Sequence, residues 1–307
     1  MDQPLLKTAA VVAAMAACAL LQGCGPFDEP LLELDPALRD SSLSSLPASA
    51  HRRVARRHIL ESFGSYGCVS CPEAESRLAP YIHPELGDPA YNSALIVINY
   101  HVKFGSIADP WVTPAIQAWN DAQGYVSLPQ AVMDGSNSAY GVREKDVAFK
   151  AGEYDSLVAR SKRADPDTWL ELDLDTAGIV YDTSARLIRF SFQAGNLDLA
   201  GIGPLDFRVL AVKNRPALIP ISPGPWEVIV REMTDADAGG AKLALPVLPA
   251  LTAKRFQVAI AVSPEAEKHV RPPPLGVENL SDYALIVLAQ DREGVVVNVA
   301  AFKYRPQ

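Results

Sequence analysis

The sequence predicts an α/β domain followed by an all-β domain. Between residues 58 and 162, short apolar runs of strand character alternate with segments whose apolar residues recur at helical spacing. Beyond Asp165-Pro166 the helical spacing disappears, and short strands recur between turns rich in proline and glycine. The chain has 307 residues, of which 49% are hydrophobic and 21% are charged, so it is long enough to bury two separate cores.

The N-terminal residues form a targeting segment and not part of a folded domain. The run from Thr8 to Leu20 is almost wholly apolar and is short for a transmembrane helix, which needs about 20 such residues. It is followed by Leu21-Gln22-Gly23-Cys24, which resembles the lipobox of bacterial lipoproteins. We therefore expect a lipoprotein signal peptide over residues 1–23 and lipid on Cys24. The alternatives are an ordinary signal peptide with an incidental cysteine, and lipidation at Cys18 after a shorter apolar run.

A flexible tether is predicted to follow the lipidated cysteine over residues 24–54, where serine is frequent and neither helical nor strand periodicity is visible. Export implies an oxidising compartment in which disulfides persist. Gly25, in place of an aspartate, resembles the sorting pattern of outer-membrane lipoproteins, so we expect a lipid-anchored envelope protein in the outer membrane. Four arginines near the end of the tether are either solvated or contact anionic lipid head groups: Arg52, Arg53, Arg56 and Arg57.

The α/β domain is predicted over residues 55–164. Its strands are apolar and short, and its helices begin with Pro72 and with the pair Thr113-Pro114, since proline suits a first helical turn and threonine an N-cap. Pro80 is expected to kink or end the first helix. The predicted strands are Ile59–Phe63, Ala94–Ile98 and Ala131–Met133, and the predicted helices are Pro72–His83, Pro114–Gln123 and Lys145–Lys162.

The all-β domain is predicted over residues 165–307. About seven short strands separated by turn signals are typical of an immunoglobulin-like β-sandwich. The predicted strands are Trp169–Leu174, Arg186–Phe192, Asp206–Val212, Trp226–Glu232, Lys254–Val262, Ala284–Gln290 and Val295–Tyr304.

The motif with the clearest chemistry is Cys68-Val69-Ser70-Cys71, which lies between a predicted strand and a predicted helix. A CxxC in this context is typical of thioredoxin-like redox sites. At the helix N-terminus, unpaired N–H groups and the helix dipole stabilise a thiolate, which makes Cys68 the candidate nucleophile. The two-residue gap brings Cys71 close enough to resolve a mixed disulfide.

Further residues resemble the outer-membrane-protein-28 family of lipoproteins. The resemblance is carried by Glu61-Ser62-Phe63-Gly64, by Gly67 to Pro72 around the two cysteines, by Tyr100-His101 and Asp109-Pro110, and by Pro129 before Asp134-Gly135. It implies an envelope lipoprotein with a thioredoxin fold, in which Pro129 is a cis-proline beside the cysteines. By the same likeness to thioredoxins, Glu61 lies near the position of a buried proton-transferring acid. His101 ends the second strand and either tunes the Cys68 thiolate or is a satisfied loop histidine.

The sequence leaves two functions open. One is a thiol–disulfide oxidoreductase acting on a protein thiol or disulfide. The other is a non-catalytic outer-membrane lipoprotein that uses its β-sandwich for binding or assembly, with the cysteines as a structural disulfide. Zinc or copper binding by the two thiolates with His58 or His101 lacks a supporting ligand spacing, so we expect no metal and no cofactor. The net charge of −8 argues against a nucleic-acid partner.

Overall fold

The computed structural model describes most of the chain from residue 43 onward. The described residues are 43–82, 94–105, 109, 111–123, 127–135, 147–148, 150–161, 166–213, 229–235, 238–262 and 283–302. The predicted signal peptide, Cys24, the tether up to residue 42 and the predicted boundary at residues 162–165 lie outside them. Among the described residues, no helix has the length and apolar character needed to cross a membrane.

The described chain is mostly β-sheet with few helices. Its α-helices are α1 (Cys71–Ile82), α2 (Pro114–Gln123) and α3 (Tyr154–Ser161), and short 3-10 helices cover Ala48–Ala50 and Ala151–Glu153. Its strands are β1 (Leu43–Ser45), β2 (Val54–Ala55), β3 (His58–Gly64), β4 (Leu95–His101), β5 (Gln130–Met133), β6 (Val147–Ala148), β7 (Asp167–Thr168), β8 (Leu170–Leu174), β9 (Val180–Asp182), β10 (Leu187–Asn196), β11 (Leu205–Lys213), β12 (Ile229–Thr234), β13 (Ala244–Leu245), β14 (Thr252–Ala261), β15 (Tyr283–Asp291) and β16 (Val296–Phe302).

Strand β3 is central to the predicted α/β part. It is parallel to β4, antiparallel to β5, and buried along its whole length, as is β4. The three predicted strands are confirmed, and so are the first two helices. Thr113 caps α2 as expected, because its Oγ1 accepts a hydrogen bond from the Ile116 N–H at 3.4 Å. Helix α1 continues through Pro80 and ends at Ile82.

The sheet around β3 continues into strands of the predicted all-β part. Its nine strands follow the order β16-β15-β11-β12-β4-β3-β5-β6, with β13 beside β11. The connection is made by β12, which is parallel to β4 where Ile229 faces Asn99. The two predicted parts therefore share one hydrogen-bonded sheet, and the domain boundaries 55–164 and 165–307 remain a prediction.

A second sheet of five strands, in the order β1-β14-β10-β8 with β9 beside β10, covers part of the large sheet. Successive residues of β11 point to opposite faces of the large sheet. Phe207 and Val209 contact the core shared with the five-stranded sheet, whereas Leu210 and Val212 contact the core that includes helix residues such as Leu78. Strand β15 is buried on both faces, which explains its long apolar run, whereas β11 is buried on both faces only from Val209 to Val212.

The sequence expectation is wrong at the third helix. The predicted helix Lys145–Lys162 is replaced by β6, a 3-10 turn and the shorter α3, which begins at Tyr154. Val147 and Ala148 pair with Val132 and Ala131 of β5. Hydrogen bonding to a neighbouring strand therefore overrides the local helix preference of this segment.

The second difference between the sequence prediction and the structure is that short strands form within the predicted tether and at its end. Leu43, in the stretch without strand periodicity, faces Lys254 of β14, and β2 pairs with β7 through Val54 and Thr168. Each of the seven predicted strands of the all-β part overlaps a strand of the described residues, and β7, β9 and β13 are additional. Residues 226–228 and 303–304 of the predicted strands lie outside the described part of the chain.

Candidate functional site

Cys68 and Cys71 form a disulfide at the N-terminus of α1, with an S–S distance of 2.17 Å and a Cα–Cα distance of 5.4 Å. Cys71 is the first residue of the helix, and its N–H donates to the carbonyl oxygen of Cys68 at 3.3 Å. Cys68 has 4% of its surface exposed and Cys71 has none. By contrast, Val69 between them is 98% exposed. The protein surface next to the disulfide is thus formed by the two central residues of the motif.

A small hydrophobic cluster surrounds the two cysteines. Trp111 is buried against them, and the half-buried side chains of Tyr66 and Leu128 complete the cluster. Leu128 precedes Pro129, and the peptide bond between them is cis, the isomer implied by the family resemblance. Pro129 is buried at the start of β5. The fold therefore brings the segment before β5 to the cysteines, and the catalytic role of Pro129 stays a prediction.

Asp109 connects the segments that carry Tyr66 and Trp111. Its Oδ2 accepts hydrogen bonds from the Tyr66 N–H at 2.7 Å and from His101 Nδ1 at 2.8 Å, and its Oδ1 accepts one from the Trp111 N–H at 2.9 Å. Burial alone would raise the pKa of Asp109. The His101 ring and the two backbone N–H donors outweigh burial and hold that pKa below its ordinary value.

His101 lies at the end of β4, as the sequence predicts, and is fully buried. Its described partner is Asp109. Asp109 in turn accepts hydrogen bonds from the backbone N–H groups of Tyr66 and Trp111, which both contact the disulfide. Tuning of Cys68 by His101 remains a prediction. Among the described residues, no group of three or more histidines, cysteines and acids is arranged to hold a metal ion. His58, the other histidine considered as a metal ligand, contacts Asp134, with 2.8 Å between Nδ1 and Oδ2.

Glu61 is buried in the middle of β3, and its described contacts are with Tyr100 and Arg208. The Tyr100 hydroxyl donates to Glu61 Oε1 at 3.0 Å, and Arg208 approaches the same oxygen at 3.9 Å while stacking over Trp119. Burial raises the pKa of Glu61, and the positive charge of Arg208 opposes that rise. Burial also raises the pKa of Tyr100, with a further contribution from the Glu61 charge. Glu61 therefore links β3 to β11, and its predicted tuning role remains untested.

Glu75 is a buried acid that sequence reasoning missed. It is 2% exposed on α1, and Asn99 of β4 donates to its Oε2 at 2.7 Å. A signal was available: Cys71, Glu75, Leu78 and Ile82 are spaced by four, three and four residues, the spacing of one helix face. Cys71, Leu78 and Ile82 are the kinds of residue that a helix buries, so Glu75, which shares their face, is expected to be buried as well.

Comparisons with known proteins identify a shared fold. No family model matches the chain, and no curated protein matches it. The chain is similar to the solved structure of HBP35 of Porphyromonas gingivalis, with a TM-score of 0.55 and 15% identity over 82% of this chain and 77% of that chain. It is also similar to a structural-genomics target protein from Agrobacterium tumefaciens, with a TM-score of 0.51 and 16% identity over 83% of this chain and 98% of that chain. At this identity the two likenesses establish a common fold.

A third solved structure is a domain of the outer membrane lipoprotein Omp28 from Porphyromonas gingivalis. Its TM-score is 0.27, with 12% identity over 46% of this chain and 91% of that chain. This score is too low to carry an argument about fold.

Proposed function

We propose that this chain is an exported lipoprotein of the outer-membrane-protein-28 type, in which a thioredoxin-like domain carries a thiol–disulfide oxidoreductase site and an immunoglobulin-like sandwich follows. The fold assignment is supported by the strand order β4-β3-β5-β6 and by helices that follow β3, β4 and β6 in the chain. This is the arrangement of thioredoxin-like domains. Since a fold does not determine an activity, the activity is argued from the cysteines.

The observation that carries the proposed activity is the disulfide at the N-terminus of α1, beside the cis bond before Pro129. Once the disulfide is reduced, the free backbone N–H groups and the helix dipole favour a thiolate at this end of the helix. Cys68 precedes the helix and adjoins the exposed Val69, whereas Cys71 begins the helix and is fully buried. We therefore assign Cys68 as the nucleophile, Cys71 as the resolving thiol and Pro129 as the neighbouring substrate-contacting residue.

The reaction follows from these assignments. The Cys68 thiolate attacks one sulfur of a substrate protein disulfide, which breaks that bond, forms a Cys68–substrate disulfide and releases one substrate thiolate. Cys71 then attacks Cys68 Sγ, which forms the Cys68–Cys71 disulfide and releases the second substrate thiolate. The substrate gains two electrons and this chain loses two. The reverse sequence oxidises a substrate dithiol, and no cofactor is needed for either direction.

A trapping experiment tests the assignment of the two cysteines. In Cys71→Ser, mixed disulfides with a disulfide-bonded substrate protein should accumulate, because the Cys68 thiolate opens the substrate disulfide and the resolving thiol is absent. The matched variant Cys68→Ser should accumulate none. Iodoacetamide should modify Cys68 before Cys71 in the reduced chain at mildly acidic pH. Equal alkylation rates with no adduct in Cys71→Ser would contradict the proposal.

The second candidate is a non-catalytic lipoprotein in which the disulfide is structural and the sandwich binds a partner. The burial of both cysteines beneath Trp111 favours this candidate, because access governs thiol–disulfide exchange. A structural disulfide resists reduction at the potentials at which exchange catalysts cycle. The two candidates therefore predict different reduction potentials.

The proposed location is the cell envelope, with attachment to the outer membrane through lipid on Cys24. Its support is the sequence Leu21-Gln22-Gly23-Cys24-Gly25 alone. The structure does not describe these residues. Lipid makes the membrane a partner through Cys24, and the acidic net charge of −8 argues against a nucleic-acid partner.

A further inference from the structure

A cavity of about 340 Å³ lies between helix α2 and the large sheet, and the two cysteines do not line it. Its volume is in the range of small-molecule sites, which are mostly apolar and carry a few placed polar groups. Ala115 and Trp119, one turn apart on α2, supply apolar atoms on one side, and Met233 of β12 supplies them on the other. The cavity therefore has room and apolar surface for a small ligand.

Two side chains of opposite charge line the cavity from the sheet. Arg208 belongs to β11, and Asp235 directly follows β12. Val209 of β11 is paired with Thr234 of β12 in an antiparallel register. Continued by one residue, this register places Arg208 beside Asp235, and residues directly opposite each other share a face of the sheet. The cavity thus contains a positive and a negative group on neighbouring chain segments.

The positive charge of Arg208 is only partly neutralised by the described residues. Its guanidinium group lies over Trp119, 4.8 Å from the ring centroid, and its Nη1 is 3.9 Å from Glu61 Oε1. That distance exceeds a hydrogen bond, and Nη1 is buried with no hydrogen-bond partner among the described residues. The Tyr100 hydroxyl, its other described polar contact, is neutral. Burial raises the pKa of Glu61, which further reduces the negative charge beside Arg208.

The negative charge of Asp235 is also left without a counter-ion. Asp235 is exposed and forms no ion pair with another residue of the described ranges. The two other charged residues that line the cavity, Asp206 and Lys242, lie 3.0 Å apart and neutralise each other. The cavity therefore presents one cation and one anion whose charges a ligand can still neutralise.

We propose that this cavity binds an α-amino acid with an apolar side chain. Arg208 binds the carboxylate, Asp235 binds the ammonium group, and the side chain lies against Trp119, Met233 and Ala115. Both charged groups of an α-amino acid are attached to one carbon atom, which suits two opposite charges that lie side by side. A carboxylate without an amine would be repelled by Asp235, and an amine without a carboxylate would be repelled by Arg208. The binding requires neither cysteine, so it is independent of the proposed exchange reaction.

Three ligands of nearly equal size test whether both charges are needed. They are L-phenylalanine, 3-phenylpropanoate, which lacks the ammonium group, and 2-phenylethylamine, which lacks the carboxylate. Their affinities are measured by titration calorimetry on the full chain with its disulfide intact. Phenylalanine should bind at least about tenfold more tightly than either analogue, because each analogue loses a charge-assisted hydrogen bond and leaves one protein charge unmatched.

Two variants with matched controls locate the binding in this cavity. Asp235→Asn should abolish the preference for phenylalanine over 3-phenylpropanoate, whereas Asp173→Asn, at an exposed acid outside the cavity, should retain it. Ala115→Leu should weaken phenylalanine binding at least about tenfold by filling the cavity, whereas Ala118→Leu, at an exposed position of the same helix, should not. None of the four changes removes a described side-chain hydrogen bond or ion pair, so each variant is expected to fold.

Several results would overturn the proposal. No binding of phenylalanine at millimolar concentrations would exclude the site, and equal or tighter binding of 3-phenylpropanoate or 2-phenylethylamine would show that the two charges do not act together. Unchanged phenylalanine affinity in Ala115→Leu would place the binding elsewhere. An unchanged ligand preference in Asp235→Asn would remove the role given to that carboxylate.

Discussion

His101 and Asp109 form a buried pair in which Nδ1 and Oδ2 are 2.8 Å apart and both side chains are inaccessible to solvent. The same carboxylate accepts hydrogen bonds from the backbone N–H groups of Tyr66 and Trp111. Through Asp109, the end of β4 fixes the chain just before Cys68 and the residue that covers the disulfide. These two residues therefore have a physical role in positioning the candidate site.

Replacement of Asp109 by asparagine should destabilise the chain by about 2 kcal/mol at neutral pH, because a buried charge-assisted set of hydrogen bonds is lost. The pKa of Asp109 is lowered in the folded state, so the unfolded chain binds this proton more tightly. Its stabilising contribution is complete above the unfolded pKa of about 4 and is lost as the pH falls through the folded pKa. Urea unfolding at several pH values should therefore show that Asp109→Asn differs most from wild type near pH 7.

The exposed Asp173 supplies the control for Asp109. Asp173→Asn should leave the free energy of unfolding within about 0.5 kcal/mol of wild type. A difference between Asp109→Asn and wild type that does not diminish in acid would contradict the role given to the carboxylate.

Trp111 should report the state of the disulfide through its fluorescence. Its ring is 3% exposed and packs against both cysteines, and a disulfide in contact with an indole quenches its emission. Reduction of the disulfide should raise the emission of the native chain, and Trp111→Phe should remove that rise. Trp169→Phe is the control, since Trp169 stacks on His51 with 5.0 Å between ring centroids. A rise that survives Trp111→Phe would show that another indole responds.

The strands of the all-β part could be predicted because apolar residues are frequent in them, as in the run Ala284–Ala289 of β15, and turn signals separate them. Strand β1 could not, since Leu43-Ser44-Ser45 has one apolar residue and its pairing depends on β14, more than 200 residues away in the chain. The start of α3 was missed for a similar reason, because Val147 and Ala148 pair with β5. In both cases backbone partners distant in sequence decide the local structure.

The two cysteines and the cis bond before Pro129 follow from short motifs, whereas the residues around them do not. Asp109 was visible in the sequence as part of a motif, but its hydrogen bonds to Tyr66 and Trp111 depend on how two loops meet. Glu61 was singled out as the buried acid, and Glu75, four residues after Cys71 on α1, is also buried. A search for apolar residues at helical spacing overlooks such a residue, because an acid is not expected on the buried face of a helix.

Glu61 should make the chain less stable as the pH rises. Burial raises its folded pKa, so the folded chain holds this proton more tightly than the unfolded chain does. The stability that the raised pKa contributes is present below the unfolded pKa and is lost as the pH rises through the folded pKa. The free energy of unfolding of Glu61→Gln relative to wild type should therefore increase between pH 4 and pH 8. A relative stability that falls over this interval would show that Arg208 outweighs burial.

Lipidation at Cys24 is tested by metabolic labelling in the native host. Labelled fatty acid should be incorporated into the wild-type protein and should be absent from Cys24→Ala. Cys18→Ala is the control and should be labelled as wild type, because its cysteine lies within the predicted signal peptide. Labelling that persists in Cys24→Ala would contradict the assigned anchor.

The reduction potential of the Cys68–Cys71 disulfide tests the central claim most directly. Equilibration of the full chain with glutathione or dithiothreitol buffers, read out by thiol alkylation, gives this value. An exchange site should have a potential in the range of thiol–disulfide catalysts, between about −270 and −120 mV. A potential below about −300 mV would contradict the oxidoreductase assignment and identify the pair as a structural disulfide.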